Sequence, residues 1–230
     1  MKNKTEMDIG EVFILWWIRM KNNIYLYFVG LRNIFVLIKS KKLRKIDKEI
    51  NYYTKNEFSY EKLDEERKES KLDKEELTYG ETPYFTVYNI LKESKIKKGM
   101  TVYDLGSGLG RFAFLARLIV DVKVIGVDII PSFIEFTNKL VDKYKLNNIE
   151  FIKANLFESD ISQADIIYIA GTCFNDISKK MLEEKIKTVK KGAKVVTLSY
   201  SLKNPCLKIK KVKKMWFSWG WATVYFQERI

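Results

Sequence analysis

The sequence predicts an α/β fold, Rossmann-like, preceded by a helical N-terminal extension. Three observations carry this. From residue 79 onward, short apolar runs alternate with amphipathic ones, as in βαβ units with right-handed crossovers. The first apolar run ends in Asp104-Leu-Gly106-Ser-Gly108-Leu-Gly110, a glycine-rich turn between strand and helix, where doubly wound sheets receive their ligands. Before residue 79 the pattern is instead one long apolar run and then a charged one. The division expected is a helical extension over 1–77 and a ligand-binding α/β domain over 78–230.

Residues 12–38 are strongly apolar, with Trp16, Trp17, Tyr25, Tyr27 and Phe28. Arg19, Lys21 and Arg32 interrupt them, so no stretch reaches the ~18 uncharged residues that a spanning helix needs. No small-residue cleavage site follows, unlike a secretory signal. Arg19, Asn23, Gly30 and Asn33 fall near one helical face and leave a wide apolar remainder. The basic cluster SKKLRK comes next, over 40–45. An apolar helix followed by basic residues suits an anionic membrane surface or an acidic partner; the alternative is packing on the main domain or on a second copy. Residues 57–77 read as a solvated helix laced with Glu and Lys.

The α/β alternation then runs in order. Strands are expected over 100–105, 123–128, 149–154, 164–171 and 193–199. Helices are expected over 111–120, over 131–144 with proline in the first turn, and over 177–191 ending at Gly192. The tail, 208–230, reads as two β-rich runs around Trp219 and Gly220.

Charge and composition bound the chemistry. The chain has 230 residues with 42 Lys and Arg against 29 Asp and Glu, net +13. That balance favours an acidic partner: nucleic acid, anionic lipid or an acidic protein face. Histidine is absent, which removes Ser-His-Asp and Cys-His mechanisms, histidine-ligated zinc and histidine bases. Cys173 and Cys206 form no CxxC pair, so a disulfide scaffold and a cysteine zinc site are excluded and a reducing compartment, the cytoplasm, fits best.

The glycine stretch is the informative motif. A dinucleotide fingerprint would need glycine at 111, where the chain has Arg111, and a Walker loop would need Gly-Lys-Ser/Thr. Asp104, one residue before the loop, would repel a pyrophosphate and welcome an ammonium. Asp128 ends the second strand, the usual place of a carboxylate that binds ribose hydroxyls. Strand-end Asp residues also cap turns, but the pair with Gly106, Gly108 and Gly110 describes an adenosine ligand carrying an amino acid. S-adenosylmethionine fits that description.

This stretch resembles the class I S-adenosylmethionine-dependent methyltransferases. The resemblance implies a seven-stranded, mostly parallel sheet with an antiparallel last strand, and places Asn155 and Leu156 near the adenine. A narrower likeness covers roughly residues 78–202. Thr78-Tyr79-Gly80-Glu81-Thr82, VYDLGSGLGR (102–111), VIGVD (124–128) and ADIIYIAGTCF (164–174) resemble, in order and spacing, the SET-less histone-lysine methyltransferases of the disruptor-of-telomeric-silencing family. It implies that Tyr79, Gly80, Glu81 and Thr82 close over the cofactor, beside Ser107 and Arg111 of the loop. Phe174 would line a lysine channel, with Tyr79, Trp219 and Tyr225 as further wall. The family's asparagine pair after the fourth strand is Ala170 and Gly171 here. The expected activity is thus methyl transfer to a protein lysine. Two alternatives stand beside it. The basic run Lys208–Lys214 with Trp216 and Trp219 suits a nucleic-acid substrate, although Gly171-Thr172-Cys173-Phe174 replaces the Asn/Asp-Pro-Pro-aromatic motif of base methylation. The fold could also serve as a catalytically silent module that binds S-adenosylmethionine.

Overall fold

The computed structural model of the chain describes residues 9–69 and 80–230. Seven helices, α1 (Ile9–Leu37), α2 (Lys41–Asn56), α3 (Tyr60–Glu69), α4 (Tyr84–Glu93), α5 (Arg111–Val120), α6 (Pro131–Lys143) and α7 (Asp176–Lys185), surround seven strands among the described residues. The strands are β1 (Thr101–Leu105), β2 (Lys123–Asp128), β3 (Ile149–Lys153), β4 (Ile166–Ile169), β5 (Lys194–Leu198), β6 (Leu207–Phe217) and β7 (Gly220–Arg229), and a short 3-10 turn covers Ile186–Thr188. They form one sheet in the order β3-β2-β1-β4-β5-β7-β6. The first five strands run parallel, and β7 is antiparallel to both β5 and β6. The Rossmann-like methyltransferase architecture expected from the sequence is therefore present.

Strand alternation separates two cores. Val102, Val124, Tyr168, Val196 and Val224 point to one face, with α4, α5, α6 and α2 packed over them. Tyr103, Leu105, Ile125, Ile167 and Val195 point to the other, against Leu182 of α7 and Ile186. Because the parallel strands are covered on both faces, they read as continuous apolar runs.

The extension departs from its expected form in two places. Residues 40–45, read as a basic surface cluster, open α2. Ser40 caps it, its hydroxyl accepting from Leu43 N at 3.2 Å, and Leu43, Ile46 and Ile50 are fully buried in the larger core. Those residues with Tyr53 form a helical stripe hidden by the charges between them. The second departure is α3, which is docked as well as solvated. Leu63 is buried, and Glu66 Oε2 accepts from Ser132 Oγ at 2.6 Å, at the start of α6. The remainder of 57–77, beyond residue 69, lies outside the described residues. Helix α4 had no counterpart in the sequence reading.

Candidate functional site

A cavity of ≈ 400 Å³ opens at the C-terminal ends of β1, β2 and β4, the switch-point side of a doubly wound sheet. Its floor is the loop between β1 and α5. Gly106 N and Ser107 N both donate to Val127 O, at 2.8 and 3.0 Å, which anchors the turn on β2. Gly106, Gly108 and Gly110 all have positive φ. At Gly110, the N-cap of α5, a Cβ would also stand 2.7 Å from the Phe151 ring. The loop is thus folded by conformations that L side chains rarely adopt, and its helix N-terminus faces the cavity.

Three carboxyl-bearing residues line that cavity, Glu81, Asp104 and Asp128. Asp104, in β1, is fully buried, and its Oδ2 has no hydrogen-bond partner among the described residues. Burial, and secondarily the charge of Asp128, push its carboxyl up to about 8; a backbone hydrogen bond at Ala113 opposes this. Asp128 is half-buried; its Oδ2 accepts from Gly108 N at 2.7 Å and its Oδ1 from Ile130 N at 3.0 Å. Asp128 thus closes the turn and also lines the cavity.

One wall is the segment 80–82. Thr82 is buried, its hydroxyl 2.7 Å from the Tyr168 hydroxyl of β4. Glu81 O accepts from Ser218 Oγ at 3.2 Å, and Glu81 Oε2 lies 2.9 Å from Arg111 Nε. Arg111 in turn donates to Asp47 Oδ1 at 2.5 Å and Asn51 Oδ1 at 2.8 Å, both on α2, with its guanidinium 5.3 Å from the Tyr84 ring centre. One guanidinium thus joins α2, the 80–82 segment and the glycine loop. Asp47 and Asn51 escaped the sequence reading; their place on the polar side of the Leu43–Ile46–Ile50 stripe was the available signal.

The rest of the lining is largely aromatic. Phe174, Phe157 and Trp219 line the cavity together with Leu156. The Phe157 and Phe174 rings are 5.9 Å apart, and Trp219 stacks on Phe217 at 4.9 Å. Phe174 lies so close over Gly171 that a Cβ there would meet its ring at 2.3 Å, and Trp219 similarly covers Gly80. Phe157 was not expected from the sequence. Asn155 lines the cavity, but its Oδ1 is engaged by Phe157 N at 3.0 Å, closing the turn after β3.

The structure therefore brings together Gly80, Glu81, Thr82, Asp104, Gly106, Ser107, Gly108, Arg111, Asp128, Asn155, Leu156, Phe174 and Trp219. It does not bring Tyr225 there. Tyr225 sits inside β7, paired with Thr197 and Val212, and only the turn before β7 reaches the cavity mouth. Gly110 shapes the loop without lining the cavity, and Tyr79 lies outside the described residues. The basic run of β6 is substantially engaged: Lys211 Nζ lies 2.5 Å from Glu93, which Lys213 also contacts, and Lys210 lies 3.1 Å from Glu228.

Comparison with known proteins gives the same architecture. A family model described as a methyltransferase domain matches residues 96–225. A histone-lysine N-methyltransferase, H3 lysine-79 specific, from Dictyostelium discoideum is 25% identical over 158 residues, 62% of this chain and 8% of that protein. A probable cobalt-precorrin-6B C(15)-methyltransferase from Sulfurisphaera tokodaii is 31% identical over 111 residues, 46% of this chain and 56% of its own length. This chain therefore spans a small part of the first relative and little more than half of the second. In fold it is similar to an RNA methyltransferase from Salinibacter ruber solved with S-adenosyl-L-homocysteine, with a TM-score of 0.53 and 24% identity over 64% of this chain and 91% of that one.

Proposed function

The chain belongs to the methyltransferase-domain family, and on that premise we propose that it is an S-adenosylmethionine-dependent methyltransferase acting on a lysine amine of a protein. The observation that carries the cofactor is the orphaned Oδ2 of Asp104 on the cavity floor. A buried carboxyl without a partner is costly. An ammonium group donating to it supplies that partner and restores the ionised form, whereas a pyrophosphate would add negative charge against Asp104 and Asp128. Asp128 already accepts from two backbone amides, and a carboxylate has about four acceptor sites, so capacity remains for ribose hydroxyls. Leu156 and Asn155 offer a partly apolar edge for the adenine.

When bound, S-adenosylmethionine supplies an electrophilic methyl group on a sulfonium. The chain's own residues position and desolvate. Phe157, Phe174 and Trp219 make an apolar wall that disfavours a hydrated ammonium and attracts cationic groups by their ring faces. The titratable groups lining the cavity are Glu81, Asp104, Arg111 and Asp128. Asp104 and Asp128 serve the cofactor, and Glu81 is tied to Arg111. The acceptor amine therefore leaves its proton in solvent at the mouth and enters neutral; after transfer it carries the methyl group and the positive charge.

The aromatic wall supports an aliphatic amine as acceptor, and the engagement of Lys210, Lys211 and Lys213 by Glu228 and Glu93 disfavours a phosphate-binding role for β6. The likeness to an H3 lysine-79 methyltransferase over 62% of the chain points the same way. The test is transfer of radiolabelled methyl from the cofactor to a cell lysate, divided and treated with protease or nuclease. Protease-sensitive label is expected; nuclease-sensitive label would replace lysine with nucleic acid, and cofactor binding without label would make the fold a silent module. Phe174→Ala is expected to lower kcat/KM about tenfold, the effect of loosened acceptor positioning, with cofactor affinity and circular dichroism unchanged. Unchanged turnover would remove Phe174 from the wall.

A further inference from the structure

Helix α1 is built the wrong way round for a solvent-facing helix. Its C-terminal half docks through Tyr25, Val29, Arg32, Asn33 and Val36, at helical spacing. Tyr25 Oη donates to Phe217 O at 2.6 Å, Asn33 Oδ1 accepts from Phe85 N at 3.0 Å, and the Arg32 guanidinium lies 3.9 Å from the Trp216 ring centre. The docked face is therefore largely polar or amphipathic. The outward face carries Tyr27, Phe28, Leu31, Ile34 and Phe35, with Tyr27 and Phe35 each 65% exposed. Further toward the N-terminus, Phe13 to Ile18 are all exposed, so this half projects beyond the domain. An apolar face of this extent exceeds what single proteins usually leave in water.

Charge decides what covers it. Between Glu11 and Asp47 the sequence has no acidic residue; apart from Arg32, which is docked on Trp216, the basic residues are Arg19, Lys21, Lys39, Lys41, Lys42, Arg44 and Lys45. A second copy would place this basic segment against itself in a two-fold contact. An anionic surface complements it. Trp16, Trp17 and Tyr27, all exposed, are residues that favour the boundary between water and lipid, and among the described residues no helix is long and apolar enough to cross a membrane.

We propose that α1 lies in the interface of an anionic lipid bilayer, with its outward apolar face among the acyl chains and its basic residues at the headgroups. Helix α1 packs on the β6–β7 hairpin through Trp216 and Phe217, and Trp219 at the tip of that hairpin lines the cavity. Docking would hold the cavity mouth beside the membrane. The proposal rests on α1 and does not depend on the reading of the cavity.

The test is flotation of the full chain with vesicles of phosphatidylcholine, alone or mixed with phosphatidylglycerol, together with sedimentation of the protein without lipid. Expected are a monomer in solution, binding to the mixed vesicles at least about tenfold stronger than to neutral ones, loss of that preference at high salt, and a blue shift of tryptophan fluorescence. The double variant Trp16→Glu/Phe28→Glu alters exposed positions only; it should keep wild-type circular dichroism and thermal unfolding but lose flotation. A dimer that the same variant dissociates would assign the face to a second copy. A monomer that fails to float, or that binds neutral vesicles equally well, would also overturn the proposal.

Discussion

At the scale of one residue, the cofactor contact proposed for Asp104 would come at the expense of stability. Its carboxyl titrates near 8 in the folded chain against an ordinary 3.8. Between those values the unfolded chain is ionised while the folded one holds a proton, so this group's contribution to stability falls as pH rises from about 4 to 8 and then levels off. Asp104→Asn should therefore raise stability at pH 7, on the order of 4 kcal/mol, and leave it unchanged at pH 3, as read by urea unfolding at both pH values. The same variant should weaken S-adenosylmethionine binding at least about tenfold, the loss of a charge-assisted hydrogen bond. In the wild type, the proton must leave before the ammonium can pair. Affinity measured by calorimetry should accordingly rise about tenfold per pH unit between pH 5.5 and 7.5, with release of one proton. A flat profile would separate Asp104 from the ligand. The sequence made Asp104 legible because a glycine turn marks it. It could not make Tyr225 legible as a residue held away from the cavity, because that depends on the register of β7 against β5.

At the scale of elements, the parallel strands and their crossovers were readable because burial on both faces leaves uninterrupted apolar runs. Helices α2 and α4 were not. In α2 the buried residues are a sparse stripe in a lysine-rich segment, and in α4 the apolar residues follow directly on the 80–82 segment. Asp47 and Asn51 hold Arg111, and Arg111 holds Glu81 at the cavity wall. Asp47→Ala should thus loosen the cofactor site from a distance, lowering affinity about three- to tenfold, the scale of a lost charged hydrogen bond. It should also be non-additive with Glu81→Ala, since both act through one guanidinium. Glu49→Gln is the matched control: Glu49 sits on the same helix but pairs with Lys143 at 2.6 Å, and its loss should leave cofactor binding unaltered. Additive effects of Asp47→Ala and Glu81→Ala would dissolve the proposed linkage.

At the scale of the molecule, the boundary near residue 77 separates two patterns of sequence, while packing crosses it. Leu43, Ile46 and Ile50 are buried in the same core as Phe112, Phe114, Val102 and Tyr168. Each such side chain contributes roughly 1.5–3 kcal/mol when fully buried; three of them amount to about 5–9 kcal/mol, comparable with the whole stability of a typical domain. The fragment 78–230 would keep every strand and the glycine loop, yet it would open this socket on the helical face of the sheet and free Arg111 from α2. It should therefore lack a cooperative urea transition and a defined near-ultraviolet circular dichroism spectrum, and should not bind S-adenosylmethionine. A fragment beginning at residue 38 retains α2 and leaves out α1, and should recover a single transition if the core is what matters. Its transition should fall below that of the full chain by the contribution of Val29 and Val36, and it should bind cofactor. If 78–230 unfolds cooperatively and binds as well as the longer fragment, α2 is an appendage to the domain and the linkage through Arg111 has no role in assembling the site.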